Sequence, residues 1–207
     1  MSWIKDQYRQ AFAFFRGSLW LYFKNSTIAF FVILLIFYAA GVLHPPIADS
    51  MIAYFQSVIE QSEIVSDAGQ ISIFNLLANN LRASALSMAY GIIPFLYLPA
   101  LPIGMNAAVL GALAAYYQLG HQSMLLLAAG ILPHGIFEIP ALLIAFAGGL
   151  YLCRTVTATI LHRETDLPLS AAILSLVRVY ITMILPLLIV ASIVESYITP
   201  LCMALLM

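Results

Sequence analysis

The sequence predicts an all-α fold: a polytopic integral membrane helical bundle of about five transmembrane helices with interfacial helices beside them. Hydrophobic residues make up 63% of the 207-residue chain and charged residues only 8%, against about 25% charged in an average soluble domain. Six of the eight basic residues, Lys5, Arg9, Arg16, Lys24, Arg154 and Arg163, also fall on one predicted side of the apolar segments. A soluble fold of this size has no interior large enough for so much apolar surface. A net charge of −1 argues against nucleic acid as a partner. At roughly 20 residues per crossing, one membrane domain over 1–207 uses the whole chain and leaves no room for a soluble one.

Residues 1–24 read as a cytoplasmic interfacial amphipathic helix. At about 100° per residue Ile4, Tyr8, Ala11, Phe12, Phe15 and Leu19 share one face, with Lys5, Arg9 and Arg16 clustered beside it. The first span, near 27–43, stops at His44-Pro45-Pro46, where proline cannot continue the hydrogen-bond ladder. Its length and the roughly 25 residues ahead of it make it a span rather than a cleaved signal. Residues 44–81 form an extracytoplasmic segment. In it Ile47, Met51, Tyr54, Phe55, Val58 and Ile59 recur at helical spacing and predict a surface helix over 47–65.

A turn signal at Ser66-Asp67-Ala68-Gly69 then precedes a helical pattern starting at Ile71 and leading into a second span near 82–98. Pro94, Pro99, Pro102 and Gly104 predict a break or reversal at the membrane face. The third span, near 103–119, is short and rich in small residues. The fourth, near 122–152, carries Pro133 and Gly135 where a kink or unwinding is expected. A polar loop holding Arg154, Arg163, Glu164 and Asp166 precedes the fifth span, near 169–195. That helix continues toward Thr199-Pro200 and must tilt or bend at Pro186.

Orientation follows from the basic residues. The segment from His44 to Leu81 has none and carries Asp49, Glu60, Glu63 and Asp67 instead, so the N-terminus is cytoplasmic and the C-terminus, after an odd number of spans, extracytoplasmic. Cys153 and Cys202 then lie at opposite faces, where no disulfide can join them, and their spacing forms no metal knuckle. Small residues predict close helix packing. Gly104, Ala107, Gly111, Ala114 and Ala115 line span three; Ala141, Ala145 and Gly149 recur every fourth residue on span four. Packing of these two spans on each other is the first expectation and a homodimer seam the alternative.

Glu138 and His134 share the face of that span-four seam and point at a neighbouring helix. His134 lies about 18 Å deep by helical rise. A carboxylate at such depth costs a few kcal/mol and must be neutralised, paired or hydrated. His134 and Arg178 are its expected partners. The pair admits three readings: a structural polar plug that fixes helix register, two ligands of a divalent transition metal such as zinc, or part of a proton or solute path. Asn106 joins this intramembrane set as an interhelical hydrogen bonder. A second polar cluster is expected at the outer face, where Arg82 pairs with Glu195 beside Asn79 and Asn80, either as structure or as a docking surface.

The run Leu132-Pro133-His134-Gly135-Ile136-Phe137-Glu138-Ile139-Pro140 followed by Gly148-Gly149 resembles the signature of the stage II sporulation protein M family. Asn79-Asn80-Leu81-Arg82-Ala83, the Asn106 segment and Glu195-Ser196-Tyr197-Ile198-Thr199-Pro200 resemble the same family in order and spacing. The resemblance covers most of the chain from Asn79 onward, and the first 70 residues carry no such signature. It implies a five-span membrane protein whose namesake acts during engulfment in spore formers, in a complex with cell-wall-degrading proteins at the septal membrane. His134, Glu138, Arg82, Asn106 and Glu195 would be its functional residues, with no catalytic role to transfer.

The leading functional expectation is therefore a non-enzymatic membrane scaffold that assembles partner proteins, cell-wall hydrolases in a spore former, as a homodimer. Transport of an ion or small solute past Asn106, His134, Glu138 and Arg178 is the alternative. An intramembrane metallohydrolase is the weakest reading, because one histidine and one glutamate replace the His-Glu-x-x-His pattern. No Gly-rich phosphate loop or serine nucleophile elbow is present.

Overall fold

A computed structural model describes residues 2–61, 72–120 and 122–206. Nine α-helices cover most of them, with no strand among the described residues: α1 (Ser2–Phe14), α2 (Trp20–Leu43), α3 (Pro45–Gln61), α4 (Ile73–Ala89), α5 (Ala100–Leu119), α6 (Met124–Ile160), α7 (Leu169–Val179), α8 (Leu185–Ile193) and α9 (Thr199–Ala204). Four helical runs are long and apolar enough to cross a membrane: Trp3–Leu43, Ala100–Leu119, Met124–Ile160 and Leu169–Ala204. The expected turn at 66–69, the acidic Glu63 and Asp67, the end of the surface helix near Val65 and the start at Ile71 lie outside the described residues.

α6 is the central element. Its 37 residues rise about 55 Å, more than the roughly 30 Å hydrocarbon layer, and it packs against α2, α4, α5, α7, α8 and α9. Nearly every residue from Ala141 to Cys153 is buried. Small side chains make this possible. A Cβ at Gly149 would lie 2.5 Å from the Ser87 carbonyl oxygen and 2.8 Å from Pro99 Cγ, and one at Gly148 would lie 2.9 Å from Met88 Cε. The span-four seam therefore seats α4 and the loop after it.

The small residues of α5 serve a different neighbour from the one expected. A Cβ at Gly111 would run into the Leu34 backbone, and one at Gly41 would lie 2.7 Å from Ala115 Cβ, so the seam mainly zips α5 to α2. Tyr38 closes the same pair by donating its hydroxyl to Gln118 Oε1. α5 touches α6 mainly through Ile103 and Ala107, which meet Leu143 and Phe146. Gly104 faces open space.

The N-terminal helix is not separate from the first span. α1 runs through a π-helical turn, Phe15–Leu19, directly into α2, because nothing in the segment breaks a helix except Gly17, and one glycine costs only about 1 kcal/mol there. Ala11, Phe15 and Leu19 of the predicted apolar face are buried, while Ile4, Tyr8 and Phe12 remain exposed. Phe14 and Tyr22 stack edge-on against the buried Tyr151 of α6 at centroid distances of 5.4 and 5.9 Å.

Pro45 and Pro46 end the first span and also open α3, since the first turn of a helix needs no N–H donor. α3 folds back, burying Ala48 and Ile52 against α2 and α5. Residues 82–98 do not form one helix. α4 stops at Ala89, a 3-10 turn covers Tyr90–Ile92, and Phe95 and Tyr97 have positive φ (67° and 46°). Pro94 forces this, because it disfavours helix at the residue before it. Thr157 of α6 holds the loop by accepting from the Phe95 N–H at 3.0 Å. Asn79 to Arg82 thus fall in the middle of α4, not at the mouth of a span.

α6 continues helically through Pro133 and Pro140 without the expected unwinding, and it extends to Ile160. Arg154 is consequently on the helix rather than in the loop, 3.6 Å from Asp166. The last run, Leu169–Ala204, absorbs its prolines differently. One π-helical turn, Tyr180–Ile184, ends just before Pro186, and a second, Val194–Ile198, just before Pro200. Each proline removes one i to i−4 hydrogen bond and pushes on the preceding turn, and a widened turn accommodates both.

Candidate functional site

A partly open cavity of about 640 Å³ lies beside α6, lined by α4, α5 and α6 with contributions from α2, α3 and the last helical run. Its α6 wall runs from Ile131 to Phe146, about 22 Å of helix. Most of the lining is apolar. Apart from tyrosines, the polar exceptions come from four elements: Asn79, Asn80 and Ser87 from α4, Asn106 from α5, His134 and Glu138 from α6, and Glu195 from the second π-helical turn.

His134, Glu138 and Glu195 converge, with one ligand-type atom from each lying within 4.8 Å of the others. The first two face the same way because they are one turn apart, and His134 Nε2 lies 3.9 Å from Glu138 Oε2. Glu195 reaches them from the opposite helix. It lies in the second π-helical turn, Val194–Ile198. Both α6 groups are largely shielded, their side chains 14% and 22% exposed. The other imidazole nitrogen, Nδ1, is 3.3 Å from Thr199 Oγ1.

Asn80 is 7% exposed and its Nδ2 has no hydrogen-bond partner. Asn106 Nδ2 donates to the Pro102 carbonyl oxygen at 2.8 Å, within its own helix. Two polar sets read separately from the sequence therefore meet in one cavity. Asn79, Asn80 and Glu195 belong with His134, Glu138 and Asn106 because α4 extends deeper than a span opening at Arg82 would allow.

Two residues of those sets stand elsewhere. Arg178 does not line the cavity; it lies on α7, where its Nε donates to Gln7 Oε1 of α1 at 2.8 Å. Arg82 is exposed, outside the lining, and among the described residues no ion pair joins it to Glu195. The two carboxylates thus have no guanidinium between them. Arg178→Gln is accordingly expected to leave any activity of the cavity within about twofold of wild type. Its cost falls on the α1–α7 contact, at about 1 kcal/mol for one hydrogen bond, read as a lower melting temperature in detergent.

Chemically the arrangement offers one imidazole and two carboxylates, acceptors and bases rather than a nucleophile–base–orienter chain. Two adjacent carboxylates in apolar surroundings require compensating positive charge, which the cavity can admit as a cation or as protons. Glu195 is the member that periodicity missed. Its signal was Pro200 five residues later, which displaces the helix just where the acid sits.

No solved structure matches the chain. An uncharacterized protein of Methanocaldococcus jannaschii, MJ0793, is 31% identical over 131 residues, 63% of this chain and 72% of that protein. Residues 27–200, including every lining residue of the cavity, match the stage II sporulation protein M family. The chain belongs to that family, as a multi-pass helical membrane protein.

Proposed function

We propose that this protein moves a small cation across the bilayer through the cavity beside α6, with no covalent chemistry. The observation that carries this is the convergence of His134, Glu138 and Glu195 on one cavity inside the helical bundle. Ionisable groups in a membrane are costly, by a few kcal/mol each, and they mark ion or solute paths when they face a cavity. A plug that only fixed helix register would satisfy its polar atoms, yet Asn80 Nδ2 is unpaired and, among the described residues, no arginine forms an ion pair with either acid. Flux of protons, monovalent or divalent cations into liposomes containing the protein is the test. A rate above protein-free liposomes that falls in Glu195→Gln is expected; equal leak in all three preparations overturns the reading.

As a second reading we propose a non-enzymatic scaffold, a homodimer that assembles partner proteins such as cell-wall hydrolases in a spore former, prompted by a family whose name places it in sporulation. Unaltered co-purification of such a partner with a His134→Ala, Glu138→Gln double variant would support it and separate it from the cavity. For orientation we assign the N-terminus to the cytoplasm and the C-terminus to the outside. This assignment counts α4, whose 17 residues rise about 25 Å, as a fifth crossing beside the four longer apolar runs. Alkaline phosphatase fused after the C-terminus should be active and fused at Thr165 silent; the reverse pattern inverts the topology.

A further inference from the structure

We propose that His134, Glu138 and Glu195 bind one divalent transition-metal ion of the zinc class, with the carboxamide of Asn80 as a fourth ligand. This deepens the cation reading and rests on it for the ion's route, while the site itself stands on its own geometry. The donor set selects the ion. An imidazole with two carboxylates suits zinc, manganese, iron or cobalt, whereas magnesium and calcium prefer oxygen alone.

Charge points the same way. Two carboxylates and a divalent cation sum to zero, the balance that apolar surroundings demand, and a monovalent ion would leave a net negative charge. Distances fit after a small contraction. Ligand atoms about 2.1 Å from a tetrahedral metal sit roughly 3.4 Å from one another. The His134 Nε2–Glu138 Oε2 distance is 3.9 Å, and the whole set falls within 4.8 Å, so a rotamer adjustment of under about 1.5 Å closes the site.

Two further observations support a bound ion rather than an acidic cluster alone. Thr199 Oγ1 stands 3.3 Å from His134 Nδ1. When Nδ1–H donates to that hydroxyl, the Nε2 lone pair faces the Glu138 carboxylate, and two acceptors point at each other with a gap fit for a cation. Orientation of a ligating imidazole through its other nitrogen is the usual outer-shell arrangement. The second observation is Asn80, which is buried in the same cavity with an unpartnered amide. Its oxygen and nitrogen exchange places by a half-turn of the carboxamide, and with Oδ1 turned inward it supplies a neutral ligand that leaves the charge balance unchanged.

The test uses the full chain in detergent, any affinity tag removed, titrated with zinc chloride and analysed for bound metal after dialysis. About one zinc per chain is expected. Affinity should fall at least tenfold in Glu195→Gln and in His134→Gln, and stay within threefold in Arg178→Gln. Cobalt in place of zinc should give a visible d–d absorption that His134→Gln removes. If Glu195→Gln is not monodisperse, Asn80→Ala is the substitute, with a weaker loss of affinity expected. No stoichiometric metal, or equal zinc affinity in wild type and the ligand variants, overturns the site. Cation flux without bound zinc would refute the metal site and leave the transport reading standing; zinc binding without flux would uphold the site and refute transport.

Discussion

Glutamine in place of Glu138 is expected to lower cation flux on the order of 100-fold, about 3 kcal/mol of lost charge stabilisation, in a protein that still purifies as a single species. The substitution keeps the shape of the side chain and removes its charge 3.9 Å from His134 Nε2, within the 4.8 Å set that Glu195 completes. A cation leaving water for this cavity exchanges its hydration shell for these oxygens. Asn79, Asn80 and Asn106 are dipoles and cannot replace a full charge at the centre. Liposome flux at several concentrations of the cation measures the effect, with Arg178→Gln as the matched control on a helix away from the cavity. Wild-type flux in Glu138→Gln would assign the carboxylate a structural role only.

Gly149→Ala is expected to be strongly destabilising, as are Gly91→Ala and Gly111→Ala, whose added Cβ would lie 2.2 Å from a backbone carbonyl oxygen. At Gly149 the added Cβ would meet the Ser87 carbonyl oxygen at 2.5 Å and Pro99 Cγ and Cβ at 2.8 and 2.9 Å. Backbone and a proline ring cannot swing aside, so α4 and the loop after it must move off α6. Overpacking of this kind costs roughly 1–3 kcal/mol and sometimes more, and here it also distorts the cavity wall that α4 supplies. A lower melting temperature in detergent together with reduced flux is the expected pair of results. Gly104→Ala, where the new methyl meets open space, should do neither and gains the roughly 1 kcal/mol by which alanine exceeds glycine in helices.

Much of the bundle is legible from proline and apolar runs alone. Pro45 and Pro46 stop one helix and start the next, and Pro94 to Pro102 break the chain where a reversal is needed. Local periodicity also groups His134 with Glu138, because both are on one unbroken helix. It fails where partners depend on tertiary contacts or on changes of helical pitch. Depth along the sequence makes Arg178 a counter-ion for Glu138, but α1 lies against α7 and Gln7 takes the guanidinium. The seam of α5 reads as a surface for α6, and only the fold reveals that Leu34 and Tyr38 of α2 occupy it.

Glu195 is the clearest case. A constant 100° per residue, approximately, carries no record of the widened turn at Val194–Ile198, and the outer-face reading pairs this acid with Arg82 rather than with His134 and Glu138. The second span misleads for a related reason. Ile92 to Leu98 are apolar enough to be lipid-exposed helix, yet Pro94 and the left-handed Phe95 and Tyr97 make them a loop clamped to Thr157.

The widened turn at Val194–Ile198 leaves this protein's polar centre dependent on a length rather than on an identity. Loss of one codon in the α-helix just ahead of it, Leu185–Ile193, with the widened turn kept, would sweep every later side chain about 100° around the axis. Glu195, Thr199 and their neighbours would all survive in the gene, while the imidazole of His134 would lose its companion carboxylate and its hydroxyl together. Relatives with such a deletion would keep the motif in their sequences and lack the centre it builds.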